Sequence, residues 1–202
     1  LEFIEGTPLH LLKHRMNWPR IYSIFEQILR SVNYAHSKGI LHHDIKSKNI
    51  LVQIPDEGDP VVRLIDFGIA IDLGSVASKE SPLIFGTPAY ISPERWNSSI
   101  HLYGPWTDLY SCGVLLWDLI CGTRPYGYND VLTMMEAHLG QPLPPFYPRM
   151  PCPIDVEPFV RRLLAKNVSE RFVTARRALF DWQEIYSNSE FRYSHPSQFN
   201  SL

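Results

Sequence analysis

Apolar residues recur at helical spacing in the first part of the chain. Between residues 18 and 38 they fall three, four and seven positions apart, and the run ends at Gly39. This spacing places one apolar stripe along a helix, so it predicts a long amphipathic helix with one face in a core. The positions are Ile21, Phe25, Ile28, Leu29, Val32 and Ala35.

A β-hairpin is predicted next. Two short apolar runs, 50–54 and 61–65, flank a segment of Pro, Asp, Glu and Gly residues that is typical of turns. From residue 70 to residue 98 no period persists, and Gly, Ser and Pro recur. An irregular segment of this length inside a compact domain is usually functional.

The rest of the chain reads as helices. Residues 107–121 predict a helix that Thr107 caps at its start and Gly122 closes. Weaker helical patterns follow, and then a polar tail or linker; the ranges are 129–138, 156–165, 173–186 and 187–202. The predicted fold is mainly α with a small β-hairpin.

A proline-rich segment leaves two interpretations open. Residues 142–153 hold six prolines, of which Pro142, Pro145 and Pro148 stand in PxxP spacing. Such spacing suits a polyproline ligand of an SH3-type module. A rigid surface connection between two helices accounts for the same residues.

Composition narrows the class of protein. The 202 residues are 45% hydrophobic, which suffices for the core of one domain, and the net charge of −2 does not favour nucleic acid as a partner. Cys112, Cys121 and Cys152 lack metal-ligand spacing and read as reduced thiols of an intracellular protein. The longest apolar stretch, 113–120, is short and contains Asp118, so we expect no membrane-spanning segment.

The candidate chemistry lies at the hairpin. Asp44 stands two residues before Lys46 and five before Asn49 on the loop that opens the hairpin, and Asp66 follows its second strand. Phosphoryl transfer needs a carboxylate to orient the attacking hydroxyl, a cation for the transferring group and oxygen ligands for magnesium. Asp44, Lys46 and the pair Asn49 and Asp66 could supply these parts in that order.

Simpler roles exist for the same residues. Asp44 and Asn49 could cap a turn, and Lys46 could be a solvated surface lysine. His42, His43 and Asp44 are residue types that bind metals, but adjacent residues on an extended segment point to opposite sides.

The two segments resemble the H-R-D-x-K-x-x-N catalytic loop and the D-F-G motif of protein kinases. Residues 86–94 resemble the docking loop that ends in A-P-E, with Ser92 for the usual Ala, and residues 108–113 resemble the start of the central buried helix. Arg171 matches the late arginine that pairs with the A-P-E glutamate. The resemblance covers residues 1–186.

The resemblance implies the C-terminal, helical lobe of the protein-kinase-like α+β fold, with residues 187–202 as a tail. It implies a serine/threonine protein kinase that uses ATP and Mg²⁺ and acts on a protein substrate. Asp44 would orient the hydroxyl and accept its proton, and Lys46 would offset developing charge. Asn49 and Asp66 would hold Mg²⁺.

Further roles follow from the same resemblance. The hinge residues Glu2 and Ile4, with Leu51 beneath the ring, would contact adenine, although a buried edge strand explains residues 1–6 equally. The docking residues would be Gly86, Thr87 and Pro88, and Thr87 favours a serine or threonine acceptor. The residues with structural roles would be His42 stacked on Phe67 in the core, Gly68, Asp108 as a buried brace of the loop, and the partly buried pair Glu94 and Arg171.

Two departures from the family pattern stand out. His43 occupies the place of an arginine that binds phosphate on the activation loop, so we expect little dependence on phosphorylation there. The candidate sites on that loop are Ser75, Ser78 and Ser81. No Gly-rich loop precedes Leu1 and no third-strand lysine is present, so we expect a fragment that lacks its N-terminal lobe and is inactive alone.

Other functions stay open at this point. One alternative is a catalytically silent pseudokinase or scaffold, and another is a small-molecule phosphotransferase of the aminoglycoside or choline type. We expect a cytoplasmic protein, because ATP is there, and leave open a membrane anchor elsewhere in the protein.

Overall fold

The computed structural model describes residues 5–55, 58–67, 87–127 and 130–187. Several predicted positions lie outside the described residues: Glu2, Ile4, Gly68, Ser75, Ser78, Ser81, Gly86 and the tail from residue 188.

The described part is mainly helical and carries a small antiparallel sheet. Its strands are β1 (Thr7–Pro8), β2 (Ile50–Gln53) and β3 (Val61–Leu64). Its α-helices are α1 (Leu9–Leu12), α2 (Trp18–Ser37), α3 (Pro93–Trp96), α4 (Pro105–Cys121), α5 (Val131–Gly140), α6 (Val156–Leu163) and α7 (Ala175–Ser187). Short 3₁₀ turns cover Lys13–Arg15, Ser47–Asn49, Pro88–Tyr90, Ile100–Leu102 and Val168–Glu170.

The predicted hairpin is confirmed. Strands β2 and β3 pair antiparallel with Val52 opposite Val62, and both side chains are buried. Strand β1 adds a third strand, with Thr7 opposite Val52. The sequence did not reveal β1 because two residues are too short to show an alternating pattern.

Helix α2 is also confirmed, and its apolar stripe faces the core. The Asn17 side chain caps its start by accepting a hydrogen bond from the Arg20 amide (3.2 Å). The helix packs against α7 and α4. Phe25 contacts Trp182 of α7, with 4.9 Å between ring centroids. This packing holds the first half of α2, and near the C-terminal end His36 Nε2 hydrogen-bonds Asp108 of α4 (2.9 Å), just before the chain enters the loop with the candidate chemistry.

Helix α4 lies at the centre of the core and begins two residues before the predicted Thr107. Pro105 occupies its first position, where a fixed φ suits a helix start and no amide donor is needed. The Thr107 hydroxyl still serves this end, because it accepts a hydrogen bond from the Gly104 amide (3.2 Å). Gly122 closes the helix with a φ of 80°, in the left-handed region that glycine adopts freely.

The later helices match the weaker patterns with shifted ends. Helix α5 begins at Val131 rather than at 129, because the Asp130 side chain accepts a hydrogen bond from the Thr133 amide (2.7 Å) and thereby caps it. Helices α6 and α7 end within two residues of the predicted positions. Helix α3 is a single turn inside the segment predicted to be irregular, too short to produce a helical period.

The proline-rich segment is a packed connection between α5 and α6. Phe146 is buried and meets Trp117 edge-on, with 5.0 Å between ring centroids. Leu143 and Met150 also pack against the core. Since these side chains point inward, the segment supports the connection rather than the polyproline ligand.

Candidate active site

The loop between α2 and β2, residues 42–49, carries the candidate catalytic residues and is called the catalytic loop below. Lys46 Nζ donates to Asp44 Oδ2 (2.5 Å), and each of these side chains is about one-fifth exposed. Asn49 Nδ2 donates both to Asp44 Oδ2 (2.9 Å) and to the Asp44 main-chain oxygen (3.0 Å). The Asp44 carboxylate is therefore held from two directions within its own loop.

A docking-loop residue lies at the same carboxylate. The Thr87 amide donates to Asp44 Oδ1 (3.2 Å), and the Thr87 hydroxyl accepts from Lys46 Nζ (2.9 Å). Pro88 then starts the 3₁₀ turn. The structure thus brings Asp44, Lys46, Asn49 and Thr87 together, although Thr87 is 43 residues from Asp44 in the chain.

Asp66 lies next to the catalytic loop at the end of β3. The amide of its neighbour Ile65 donates to the Asn49 main-chain oxygen (2.9 Å) and so joins the two segments. Asp66 has a φ of 51°, a left-handed conformation that Asp adopts more readily than most residues. Its side chain is exposed and makes no hydrogen bond or ion pair with the described residues.

The oxygens of Asn49 and Asp66 fit a hard cation. Both Asn49 side-chain bonds use its nitrogen, and Oδ1 has no partner among the described residues. A carboxylate and an amide oxygen are ligands that Mg²⁺ accepts. Across the described ranges, no three His, Cys, Asp or Glu residues are grouped as metal ligands.

His42 is buried and hydrogen-bonded on both ring nitrogens. Nε2 donates to the Ile65 carbonyl (3.1 Å), and Nδ1 accepts from the Asp44 amide (3.3 Å). Burial lowers the pKa of His42, which favours the neutral ring that this pattern requires. The ring contacts Phe67, with 4.6 Å between centroids. The expected core position of Phe67 is wrong, however, because its side chain is 44% exposed and meets His42 on one side only.

Asp108 binds the backbone of the catalytic loop. Its carboxylate accepts from the amides of His42 and His43 (2.8 Å each) and from His36 Nε2 (2.9 Å). Burial alone would raise the pKa of Asp108, but the His36 hydrogen bond and the neighbouring donors outweigh it and lower that pKa. No local pattern indicated the role of His36, because its partner lies 72 residues away.

His43 departs from the family pattern in charge as well as in shape. Burial lowers the pKa of His43 to about 4, so the ring is neutral at pH 7. Neither ring nitrogen has a hydrogen-bond partner among the described residues. The main-chain oxygen of His43 accepts from Arg95 Nη1 (2.5 Å), a contact that sequence reasoning missed.

Glu94 and Arg171 form a bidentate ion pair at 2.9 Å for each contact. The side chains are 2% and 0% exposed, so the pair is fully rather than partly buried. Thr107 donates to Glu94 Oε1 (2.9 Å), and Arg171 Nε donates to the Ala165 carbonyl (2.6 Å). These bonds fix helix α3, and with it the end of the docking loop, to the centre of the core.

Of the three residues predicted to contact adenine, only Leu51 lies among the described residues. Leu51 lies on β2 opposite Arg63 and is partly buried. Glu2 and Ile4 lie outside the described residues, so their predicted contacts stay predictions.

Comparisons with known proteins support the resemblance to protein kinases. The family model described as "Protein kinase domain" matches residues 1–182. The chain is 31% identical over 175 residues to the serine/threonine-protein kinase PknA of Mycobacterium tuberculosis, covering 85% of this chain and 39% of the relative. It is 32% identical over 197 residues to the serine/threonine-protein kinase pkn3 of Myxococcus xanthus, covering 92% and 35%. The chain therefore spans less than half of the length of these curated relatives.

Proposed function

Because the chain belongs to the protein kinase domain family, we propose that it forms the hinge and the C-terminal lobe (residues 1–186) of a serine/threonine protein kinase, followed by a tail (residues 187–202). The reaction is transfer of the γ-phosphoryl group of ATP to a serine or threonine hydroxyl of a protein. The observation that carries this proposal is the Asp44 carboxylate with Lys46, Asn49 and Thr87 bonded around it.

Each residue has a role that its contacts support. Asp44 orients the acceptor hydroxyl and receives its proton, since its carboxylate is partly exposed and held from both sides. Lys46 offsets negative charge on the transferring phosphoryl group, a role supported by its hydrogen bonds to both Asp44 and Thr87. Mg²⁺, when bound, would neutralise charge on the phosphates, and Asn49 Oδ1 with the Asp66 carboxylate would hold it.

The docking loop supports a protein acceptor. Thr87 connects the catalytic carboxylate directly to the segment of Gly86 and Pro88, where a substrate chain would lie. A small-molecule phosphotransferase is not expected to have this loop or the Asp108 brace. Thr87 and Lys46 together favour serine or threonine over tyrosine.

Nucleotide binding draws on a further lobe in this proposal. The 202 residues contain no G-x-G-x-x-G segment, and such a loop covers the phosphates of ATP in kinases. An N-terminal lobe of the same protein would supply it, and Glu2, Ile4 and Leu51 would contact adenine from this side. None of the described helices is long and apolar enough to cross a bilayer, and we propose a cytoplasmic site of action because ATP is there.

Phosphate transfer from labelled ATP and Mg²⁺ to a generic basic protein tests the function. The full-length protein is compared with its Asp66→Asn variant. We expect label on serine or threonine, and its loss in the variant. A folded wild-type protein that neither transfers phosphate nor is stabilised by ATP and Mg²⁺ would overturn the proposal in favour of a scaffold.

A further inference from the structure

Arg95 is a buried arginine that the proposed chemistry does not use. It lies on α3, and its residue is 8% exposed. The preceding residue, Glu94, is anchored in the core by its ion pair with Arg171. Helix α3 is therefore a fixed support, and Arg95 projects from it to the catalytic loop.

The contact of Arg95 completes a clamp on one residue of that loop. The His43 amide donates to Asp108 Oδ1 (2.8 Å), while the His43 carbonyl accepts from Arg95 Nη1 (2.5 Å). His43 has a φ of 62°, a left-handed conformation that is uncommon for residues with a Cβ, although His adopts it more readily than most. The next residue is Asp44, so the two bonds set the direction in which the chain delivers its carboxylate.

The positive charge beside the His43 carbonyl belongs to Arg95 rather than to the His43 ring. Arginine stays protonated in proteins, whereas the buried His43 ring is neutral at pH 7. Burial lowers the pKa of Arg95, whereas Tyr103 and the carboxylates of Asp108 and Asp44 act in the opposite direction and favour its charged form. A charged donor gives a stronger hydrogen bond to a carbonyl than a neutral one does.

We propose that Arg95 is a positioning residue, which holds the catalytic loop in its reactive conformation by binding the His43 carbonyl with a permanent charge. This inference rests on the proposed kinase function. In this proposal the buried Arg95 supplies the positive charge beside the catalytic loop, where the loop residue His43 is itself neutral. The loop is thereby held without a phosphate group.

The test uses the full-length protein and the variants Arg95→Met and Arg95→Lys. Arg161→Met is the matched control, because Arg161 also donates to a carbonyl, that of Pro144 (3.2 Å), but far along the chain from the loop. We expect Arg95→Met to lower kcat about tenfold or more and to change KM for ATP by less than about twofold, whereas Arg95→Lys recovers part of kcat. Arg161→Met keeps kcat. An Arg95→Met protein that is folded and keeps the wild-type kcat would overturn the proposal.

A second measurement does not depend on activity. Amide hydrogen exchange of the peptide spanning residues 42–49 should be faster in Arg95→Lys than in Arg161→Met, with little change elsewhere. If wild type transfers no phosphate, the proposed function fails while this measurement still decides the clamp. If Arg95→Met does not fold, Arg95→Lys and Arg95→Gln replace it, and equal kcat and equal exchange in that pair would refute the role.

Discussion

Replacing Arg171 by methionine is a direct test of how the docking loop is held to the core. Arg171 donates twice to Glu94, and it also donates to the main-chain oxygens of Ala165 (2.6 Å) and Lys166 (3.1 Å). Methionine has a similar length and no charge. The substitution therefore leaves the Glu94 carboxylate in a site where its side chain is 2% exposed, and among the described residues only the Thr107 hydroxyl still donates to it.

The expected loss of stability is large. Breaking a buried ion pair by removing one partner costs about 3–5 kcal/mol, because the remaining charge is uncompensated. A domain is stable by only about 5–15 kcal/mol, so this single change removes at least about a fifth of the total. The double variant Arg171→Met/Glu94→Gln removes both charges, and we expect it to be about 1–3 kcal/mol more stable than the sum of the two single changes predicts.

Urea unfolding followed by far-ultraviolet circular dichroism measures these free energies. The control is Arg177→Met, since Arg177 pairs with Asp181 (2.7 Å) at a site where the arginine side chain is 59% exposed. That surface pair should contribute at most about 1 kcal/mol. The reasoning is refuted if Arg171→Met costs no more than Arg177→Met, or if the Arg171 and Glu94 changes are additive.

Three other outcomes follow from the structure. Burial lowers the pKa of His138 to about 3, below its value near 6.5 in the unfolded chain. The unfolded state therefore takes up the proton first, and lowering the pH from 7 to 5 reduces the free energy of unfolding by about 2 kcal/mol. The free energy of unfolding of His138→Gln should fall less over the same pH range. A side chain at Gly113 would meet Leu163 Cβ at 2.8 Å, so thermal unfolding should show that Gly113→Ala costs about 1–3 kcal/mol, whereas Gly140→Ala, with nothing within 4 Å, should be neutral or stabilising. Joint alanine substitution of Ser75, Ser78 and Ser81 in the full-length protein should leave most of the kinase activity. Loss of activity in that variant would contradict the interpretation of His43.

The larger elements could be predicted because each has its own pattern. The stripe of α2, the turn residues between β2 and β3 and the glycine after α4 report local conformation directly. Strand β1 and helix α3 could not, since two and four residues are shorter than the period that would reveal them. The start of α4 was misplaced because Thr107 does bond to the helix start, but from the third helical position.

The candidate site divides in the same way. Spacing within residues 42–49 indicated which groups meet at Asp44, and the geometry brings them together. The support around them depends on residues far apart in the chain, such as His36 with Asp108 and Arg95 with His43. No local pattern marks such pairs. The exposure of Phe67 was likewise unpredictable, because it depends on what covers the ring rather than on the motif.

The most direct test of the central claim, that Asp44 performs the proton step of phosphoryl transfer, is the turnover rate of Asp44→Asn in the full-length protein. The amide keeps the size of the side chain, but it is a poor base, and its single oxygen can accept from Lys46 or from the Thr87 amide, not from both. We predict that kcat falls by about 10²–10⁴-fold while the affinity for ATP changes by less than about threefold. Turnover equal to that of the wild type in this variant would contradict the account.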